Sequence, residues 1–233
     1  MTKKILSVAA GVALLLSSCN VVGNNVVNPS KERVKKEYKL ESFDKIETAT
    51  AINVVYTQDE KPQKVTLDVP RNMEEYVSLN VKDGELKVSF KKLNTIAGDH
   101  KTTLYVSGPA IRKFQTSSAG NVYIKNGVAY NGDVTIKSSS AGDIYADEPI
   151  KAKTLYVKAS SAGNIKIAGA HVDLLGVESS SAGNIKVTDI QAVNVAAEAS
   201  SAGSITLEGN CRSLEKEASS AGTIHCKKLK IRQ

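Results

Sequence analysis

The chain has 233 residues, of which 31 are Lys or Arg and 24 are Asp or Glu, for a formal net charge of +7. Much of the basic excess lies near the two ends of the chain, in residues 31–39 and 227–232. Such charge is typical of a solvated or membrane-facing segment, so no nucleic-acid partner is predicted. The three cysteines have no metal-ligand spacing, and the sequence therefore predicts no metal site and no cofactor.

The N-terminus has the parts of a lipoprotein signal peptide. Two lysines precede an apolar run over residues 5–16, and the sequence LSSC ends at Cys19. The run of about a dozen residues is too short to span a bilayer, which needs ~20. LSSC resembles the lipobox of bacterial lipoproteins, whose cysteine is acylated and becomes the mature N-terminus. We therefore predict residues 1–18 as the signal peptide and Cys19 as the lipidation site; the alternative is an ordinary signal peptide with a chance cysteine.

Residues 19–40 are predicted as a lipidated N-terminus and flexible tether, because they are small and polar, then charged, with little periodicity. Several acyl chains on Cys19 would give a stable membrane anchor. Position two after the cysteine is Asn20 and not the aspartate that resembles an inner-membrane retention signal. The predicted location is therefore the outer membrane of the cell envelope, and the sequence leaves the periplasmic and surface faces open.

Residues 41–233 are predicted to form one domain built on a repeat. The tetrapeptide Ser-Ser-Ala-Gly occurs six times, and its glycines are spaced by 22, 21, 20, 20 and 19 residues. A period near twenty is typical of a solenoid whose coils stack on their neighbours. Alternation on both sides of the motif, as in TLYVKASSAGNIKI, indicates strands. The predicted fold is an all-β parallel β-solenoid with turn glycines at Gly120, Gly142, Gly163, Gly183, Gly203 and Gly222.

Aligning the repeats on the glycine separates inward from outward positions. Apolar residues recur two and four positions after it, as at Ile165 and Ile167, and eight and six positions before it. These columns are the predicted core. The columns four and two before the glycine hold only Ser, Thr or Ala, as at Ala159 and Ser161. We expect both to point into a narrow inner corner where hydroxyls bond backbone, and the glycine to supply a positive φ.

Before Gly120 the repeat weakens. TATAINVVYTQ aligns with TSSAGNVYIKN, with Ile52 in place of the glycine, and VSLNVKDGELKVSF predicts a hairpin about Asp83-Gly84. Residues 43–115 are therefore predicted as irregular β structure that caps the open end of the solenoid. Counting about twenty residues per coil from Phe43 gives ~9 coils and a rod ~40 Å long.

The lipobox, the entry FDKIETATAINVVYTQ, the strand LKVSF and the SSAGN/D turns together carry a resemblance to a known family. The chain resembles the head GIN domain family, lipoproteins of Bacteroidetes that carry the label of autotransporter adhesins. The resemblance covers Phe43 to Cys226 and implies a right-handed parallel β-helix. Ile52 departs from the glycine of the later turns, which concerns only that corner.

No catalytic residue is predicted. The serines of the motif recur once per coil, whereas a catalytic site is singular, and the histidines His100, His171 and His225 are scattered.

The outward column five before the glycine stacks three glutamates, Glu178, Glu198 and Glu217. We interpret it as a solvated face whose like charges are relieved by Lys158 and Lys216.

The outward column three after the glycine is the candidate binding face. It places two tyrosines next to two lysines, at Tyr123, Tyr145, Lys166 and Lys186. Aromatic rings with flanking donors suit a glycan or a surface-protein ligand, although tyrosine is also a common exposed strand residue. The predicted function is an envelope-anchored lipoprotein with a non-enzymatic β-solenoid, acting as an adhesin or a ligand- or scaffold-binding module.

The alternative function is a carbohydrate-active β-helix enzyme, either a polysaccharide lyase or a hydrolase. The sequence leaves open the identity of the ligand and the oligomeric state. It also leaves open whether Cys211 and Cys226 form a disulfide or remain thiols.

Overall fold

The computed structural model describes residues 26–91, 95–98 and 100–232, and these residues form a nearly all-β structure. The N-terminal part contains β1 (Val26–Val27), β2 (Arg33–Tyr38), β3 (Lys45–Thr48), β4 (Ile52–Gln58), β5 (Lys64–Pro70), a 3₁₀ helix (Arg71–Tyr76), β6 (Val77–Lys82), β7 (Glu85–Phe90), β8 (Thr95–Ile96) and β9 (Thr102–Gly108). No helix among these described residues is long and apolar enough to cross a membrane.

The repeat region supplies the remaining strands. They are β10 (Lys113–Thr116), β11 (Asn121–Ile124), β12 (Val128–Ala129), β13 (Asp133–Ser138), β14 (Asp143–Ala146), β15 (Ile150–Ala159), β16 (Asn164–Ile167), β17 (Ala170–Ser179), β18 (Asn184–Ala199), β19 (Ser204–Ala218) and β20 (Thr223–Ile231). All pairings among them are parallel, and each strand pairs with its equivalent in the next coil. The prediction of a parallel β-solenoid is confirmed.

The core consists of apolar columns that run along the solenoid axis. Ile144 pairs with Ile165, which pairs with Ile185, which in turn pairs with Ile205, and all four side chains are buried. The columns six and eight before the glycine are buried in the same way, as at Leu155. Each coil therefore lays its apolar residues on those of its neighbour, as the alignment on the glycine predicted.

The first coil of the repeat, formed by β10 and β11, stacks on a coil that lies much earlier in the chain. Strands β10 and β11 pair with β3 and β4, so that Asn121 lies beside Asn53 and Val122 beside Val54. This register confirms the alignment of TATAINVVYTQ with TSSAGNVYIKN. Within residues 43–115, which were predicted as an irregular β cap, β3 and β4 form a coil of the stack, and the residues between β4 and β10 build the rest of the cap.

The residues of the cap explain why the solenoid has fewer coils than predicted. Strands β7 and β9 lie in parallel beneath β3 and β4, and β6 pairs with β7 as an antiparallel hairpin. Asp83 and Gly84 both have positive φ, of 52° and 71°, which confirms the hairpin turn. The solenoid has about six turns and not nine, because this antiparallel cap uses residues that the count assigned to coils.

Part of the segment predicted as a tether is a strand. β2 pairs antiparallel with β5, from Arg33 opposite Pro70 to Tyr38 opposite Val65. Its side chains Val34 and Tyr38 pack against the core, and the guanidinium of Arg33 lies 2.7 Å from Asp68. The prediction of a flexible tether was wrong for residues 33–38. This segment pairs as a strand and covers an edge of the cap that would otherwise be exposed. The signal peptide and Cys19 lie outside the described residues.

The corner at the Ser-Ser-Ala-Gly motif differs from the predicted one. The residues in the left-handed region are the second serine and the alanine, with φ of 49° at Ser161 and 62° at Ala162, whereas the motif glycines do not have positive φ. The second serine is exposed, so its predicted inward orientation was wrong. The hydrogen-bond ladder continues through the corner, since the Ala162 N–H donates to the Ser181 carbonyl at 3.1 Å.

Close approach of successive coils explains why glycine ends the motif. A Cβ at Gly183 would lie 2.5 Å from the carbonyl oxygen of Ala159, and one at Gly203 would lie 2.3 Å from that of Ser179. Real Cβ atoms essentially never approach other atoms so closely. The glycine is therefore required by the coil beneath it and not by its own φ.

The column four before the glycine does point inward. Thr116, Ser138 and Ser179 are buried, and each hydroxyl donates to the carbonyl of the motif glycine four residues later, at 2.7 Å for Ser179 and Gly183. These bonds satisfy the buried hydroxyls, as predicted. Small side chains are needed here because the backbone turns sharply just beyond them.

The origin of the motif glycine can be tested at one corner. Gly183→Ala is expected to lower the free energy of unfolding by ~1–3 kcal/mol, because the new Cβ would overlap the Ala159 carbonyl. Ala182→Gly, at φ 61°, is expected to be neutral or stabilising, because it relieves a left-handed residue that costs ~1–2 kcal/mol. Urea denaturation followed by circular dichroism measures both. Equal losses in the two variants would contradict this account.

Tyr56 fixes the segment that returns from the cap to the repeat. Its ring is buried against Phe114, with centroids 5.2 Å apart. Its hydroxyl donates to the Pro109 carbonyl at 2.8 Å and accepts from the Ile111 N–H at 3.2 Å. Burial raises the pKa of Tyr56 to about 12.

This raised pKa predicts a dependence of stability on pH. The neutral phenol is favoured in the folded state, so its stabilisation is complete below pH 10 and is lost as the pH rises through 10 towards 12. Tyr56→Phe is expected to be less stable than wild type at pH 8, because the Ile111 N–H loses its acceptor. The difference in urea midpoint should shrink between pH 10 and 12. A constant difference over that range would contradict the assignment.

Candidate binding face

The four residues of the candidate binding face lie in a single column. Tyr123 pairs with Tyr145, Tyr145 pairs with Lys166, and Lys166 pairs with Lys186. Each residue lies between two buried core positions, so that its side chain points outward. The structure therefore brings the predicted residues together on adjacent coils, at a spacing of ~4.8 Å.

The two tyrosines stack on each other. Their ring centroids are 5.5 Å apart and the ring planes differ by 13°. Lys125 places its ammonium 5.7 Å from the Tyr123 centroid, and the Tyr145 hydroxyl donates to Asp143 at 3.1 Å. Burial raises the pKa of Tyr145, and the negative charge of Asp143 raises it further. Because each ring covers one face of the other, this pair presents ring edges and hydroxyls to a ligand.

The two lysines that follow differ in their surroundings. The Lys186 ammonium lies 3.5 Å from Glu208, which Lys228 also approaches at 3.7 Å. Lys166 is exposed, and within the described part of the chain no ion pair involves it. The face is thus aromatic on one side and basic on the other, and Lys166 offers an ammonium to an anionic ligand.

The structure adds a residue that sequence reasoning missed. Val55 of β4 pairs with Tyr123 on one side and with Tyr105 of β9 on the other, and Tyr105 is 43% exposed. The column therefore runs from Tyr105 through Val55 to the stacked pair. The alignment of β4 with β11 predicted the place of Val55, but no repeat signal marks β9.

Of the two lysines predicted to relieve the like charges of the glutamate column, one forms the expected ion pair and the other does not. Lys158 pairs with Glu178 at 2.7 Å, as expected for relief of the like charges. Lys216 instead donates to the sulfur of Cys226 at 3.5 Å. Lys216 occupies the same column as Ala197 and Val177. This apolar column therefore ends at a charged residue.

The described cysteines and histidines lie in separate surroundings and make different contacts. Cys211 is buried and Cys226 half-buried, and both are free thiols, with the pKa of Cys211 raised by burial and by the neighbouring Cys226. His171 lies 3.0 Å from Asp189, and the His100 ring packs edge-on against Phe90. Among residues 26–91, 95–98 and 100–232, no group of three His, Cys, Asp or Glu is placed to hold a metal ion.

The stacked parallel coils and their continuous outward columns define this protein as a β-solenoid that presents repetitive faces. The chain belongs to the family described as "Putative auto-transporter adhesin, head GIN domain", which it matches over residues 42–175 and 169–233. The family resemblance predicted from the entry strand and the turn motifs is thereby confirmed. No curated protein matches the chain significantly.

Solved structures of proteins from Bacteroidetes share the fold. A "putative adhesin" of Bacteroides fragilis is 21% identical, with a TM-score of 0.65 over 88% of this chain and 100% of its own. One of Parabacteroides distasonis is 15% identical, with a TM-score of 0.73 over 89% and 100%. One of Parabacteroides merdae is 16% identical, with a TM-score of 0.65 over 89% and 99%. At these identities the similarity shows the fold.

Proposed function

We propose that this chain is an outer-membrane lipoprotein, anchored through acyl chains on Cys19, whose β-solenoid is a non-enzymatic adhesin or ligand-binding module. Family membership supports an adhesin of the cell envelope. The lipobox sequence supports the anchor. The observation that carries the binding role is the single outward column in which two half-buried, stacked tyrosines continue directly into two lysines.

The column favours a ligand with negative charge. The hydroxyls of the two stacked tyrosines can bond to a ligand, that of Tyr145 as an acceptor because it donates to Asp143. Lys166 and Lys186 supply two ammonium groups on adjacent coils. A glycan with carboxylate or sulfate groups fits both features, because its hydroxyls and its anions find partners along one line. A surface protein with an acidic strand or loop is the second class of ligand that the face could bind.

Carbohydrate cleavage is the alternative function. It would draw on the outward column five before the glycine, where Glu178 and Glu198 occupy paired positions on adjacent coils. Glu178 is engaged in an ion pair with Lys158, an arrangement that suits a surface charge pair better than a general acid. Release of reducing or unsaturated sugar ends from a bound glycan would support the enzyme.

The membrane anchor can be tested directly. Cys19→Ala is expected to abolish incorporation of an alkyne-tagged fatty acid and to move the protein out of the outer-membrane fraction, because the acylated residue is lost. Metabolic labelling and fractionation of the native organism measure this. Protease treatment of intact cells then distinguishes the surface from the periplasm. Continued labelling of the variant would contradict lipidation at Cys19.

The binding face can be tested with charge reversal. Lys166→Glu combined with Lys186→Glu is expected to weaken binding of hexagalacturonate and dextran sulfate at least tenfold, and binding by wild type should fall with added salt. The matched control is Lys151→Glu with Lys153→Glu, which makes the same change in net charge at two exposed positions elsewhere. Calorimetry on the full chain in detergent measures all three proteins. Equal losses in both double variants would contradict a specific face.

A further inference from the structure

A groove lies on an outward face of the solenoid other than the candidate binding face. It crosses β13, β15, β17 and β18, and its lining includes Tyr156, Lys158, Gly176, Glu178, Ala196 and Glu198. Two columns build it. Tyr156, Gly176 and Ala196 pair across three coils, and Lys158, Glu178 and Glu198 pair across the same coils two residues further along each strand.

Small residues create the space in this groove. Gly176 and Ala196 follow Tyr156 in its column, so that the strands beside the ring carry no large side chain at these positions. A Cβ at Gly176 would lie 2.9 Å and 3.1 Å from two carbon atoms of the Tyr156 ring. The ring therefore leans over Gly176 and occupies the place of the missing side chain.

The Tyr156 ring differs from the stacked pair on the candidate binding face. Tyr156 is 48% exposed, and the neighbour in its column is a glycine in place of a second ring. Tyr123 and Tyr145 cover each other's faces, whereas the solvent side of Tyr156 is open. An open aromatic ring beside a bare strand is a platform for a flat, partly apolar ligand.

The charges around the groove balance. Two lysines, Lys137 and Lys158, and two glutamates, Glu178 and Glu198, line it. Lys158 and Glu178 form an ion pair of 2.7 Å. Such a lining offers donors and acceptors side by side without net charge, which complements the many hydroxyls of an uncharged ligand and gives no advantage to an anion.

We propose that this groove binds a neutral oligosaccharide. The C–H face of one sugar ring stacks on Tyr156, the Lys158 ammonium donates to sugar oxygens, and the Glu198 carboxylate accepts from sugar hydroxyls. The groove crosses strands of four successive coils, a length of ~14 Å, so it holds several sugar units. The site goes beyond the proposed function, because it lies on another face and takes a ligand without charge.

The test uses the full chain in detergent with neutral hexasaccharides of β-1,4-linked glucose, xylose and mannose as probes, and hexagalacturonate for comparison. Calorimetry is expected to detect binding of at least one neutral probe. Tyr156→Ala should weaken that binding at least tenfold, because the stacking platform is lost. Tyr105→Ala, which removes an exposed tyrosine of the other face, should leave it unchanged.

A second variant separates binding from folding. Gly176→Val places a β-branched side chain on the groove floor and displaces the Tyr156 ring, and its backbone does not have the positive φ that would strain such a residue. Binding should fall at least tenfold while the urea midpoint stays at or above that of wild type. The Lys166→Glu and Lys186→Glu double variant should keep full affinity for the neutral probe, so that failure of one site is distinguishable from failure of the other.

Three results would overturn the proposal. They are the absence of binding to all neutral probes, binding that both Tyr156→Ala and Gly176→Val leave intact, and binding of hexagalacturonate in this groove in preference to the neutral probes. The last result would show that an anionic ligand occupies the groove in spite of its balanced charge.

Discussion

The direct stacking of one coil's backbone on the next is the constraint on which the rest of this structure depends. Strands of successive coils lie ~4.8 Å apart, and the hydrogen-bond ladder continues through the corner turns as well as the strands. A side chain at the last position of the corner would overlap the carbonyl of the coil beneath, as at Gly183 above Ala159. The corner therefore requires glycine there, and it accepts two left-handed residues just before it.

The same stacking converts sequence into columns of equivalent side chains. Inward columns become a continuous apolar core, and each outward column becomes a line whose chemistry depends on what every coil supplies. Tyrosines show how much the neighbour in the column matters. Tyr123 next to Tyr145 loses an open ring face to stacking, whereas Tyr156 next to Gly176 keeps one. Two faces of one rod can therefore favour ligands of different charge.

A stack of parallel strands also needs two closed ends, because an open edge would recruit further strands. At the N-terminal end the chain leaves the repeat after β4, builds the antiparallel cap and returns at β10, where Tyr56 holds the returning segment through Pro109 and Ile111. At the other end Lys216 enters an apolar column. A charged group there cannot be covered by another coil without losing its hydration, which limits the length of the solenoid.

The sequence by itself determined the features that depend on regular spacing. The period of twenty identified a solenoid, and alternation about the motif placed Ile165 and Ile185 in the core. The same register gave the column from Tyr123 to Lys186, and the Asp83-Gly84 dipeptide between alternating residues predicted the hairpin turn. Only the tertiary structure decided which corner residues are left-handed, that Ser161 is exposed, and that Tyr105 extends the binding face. These features depend on contacts between coils or on segments without the repeat, where spacing along the chain no longer reports which atoms lie close together.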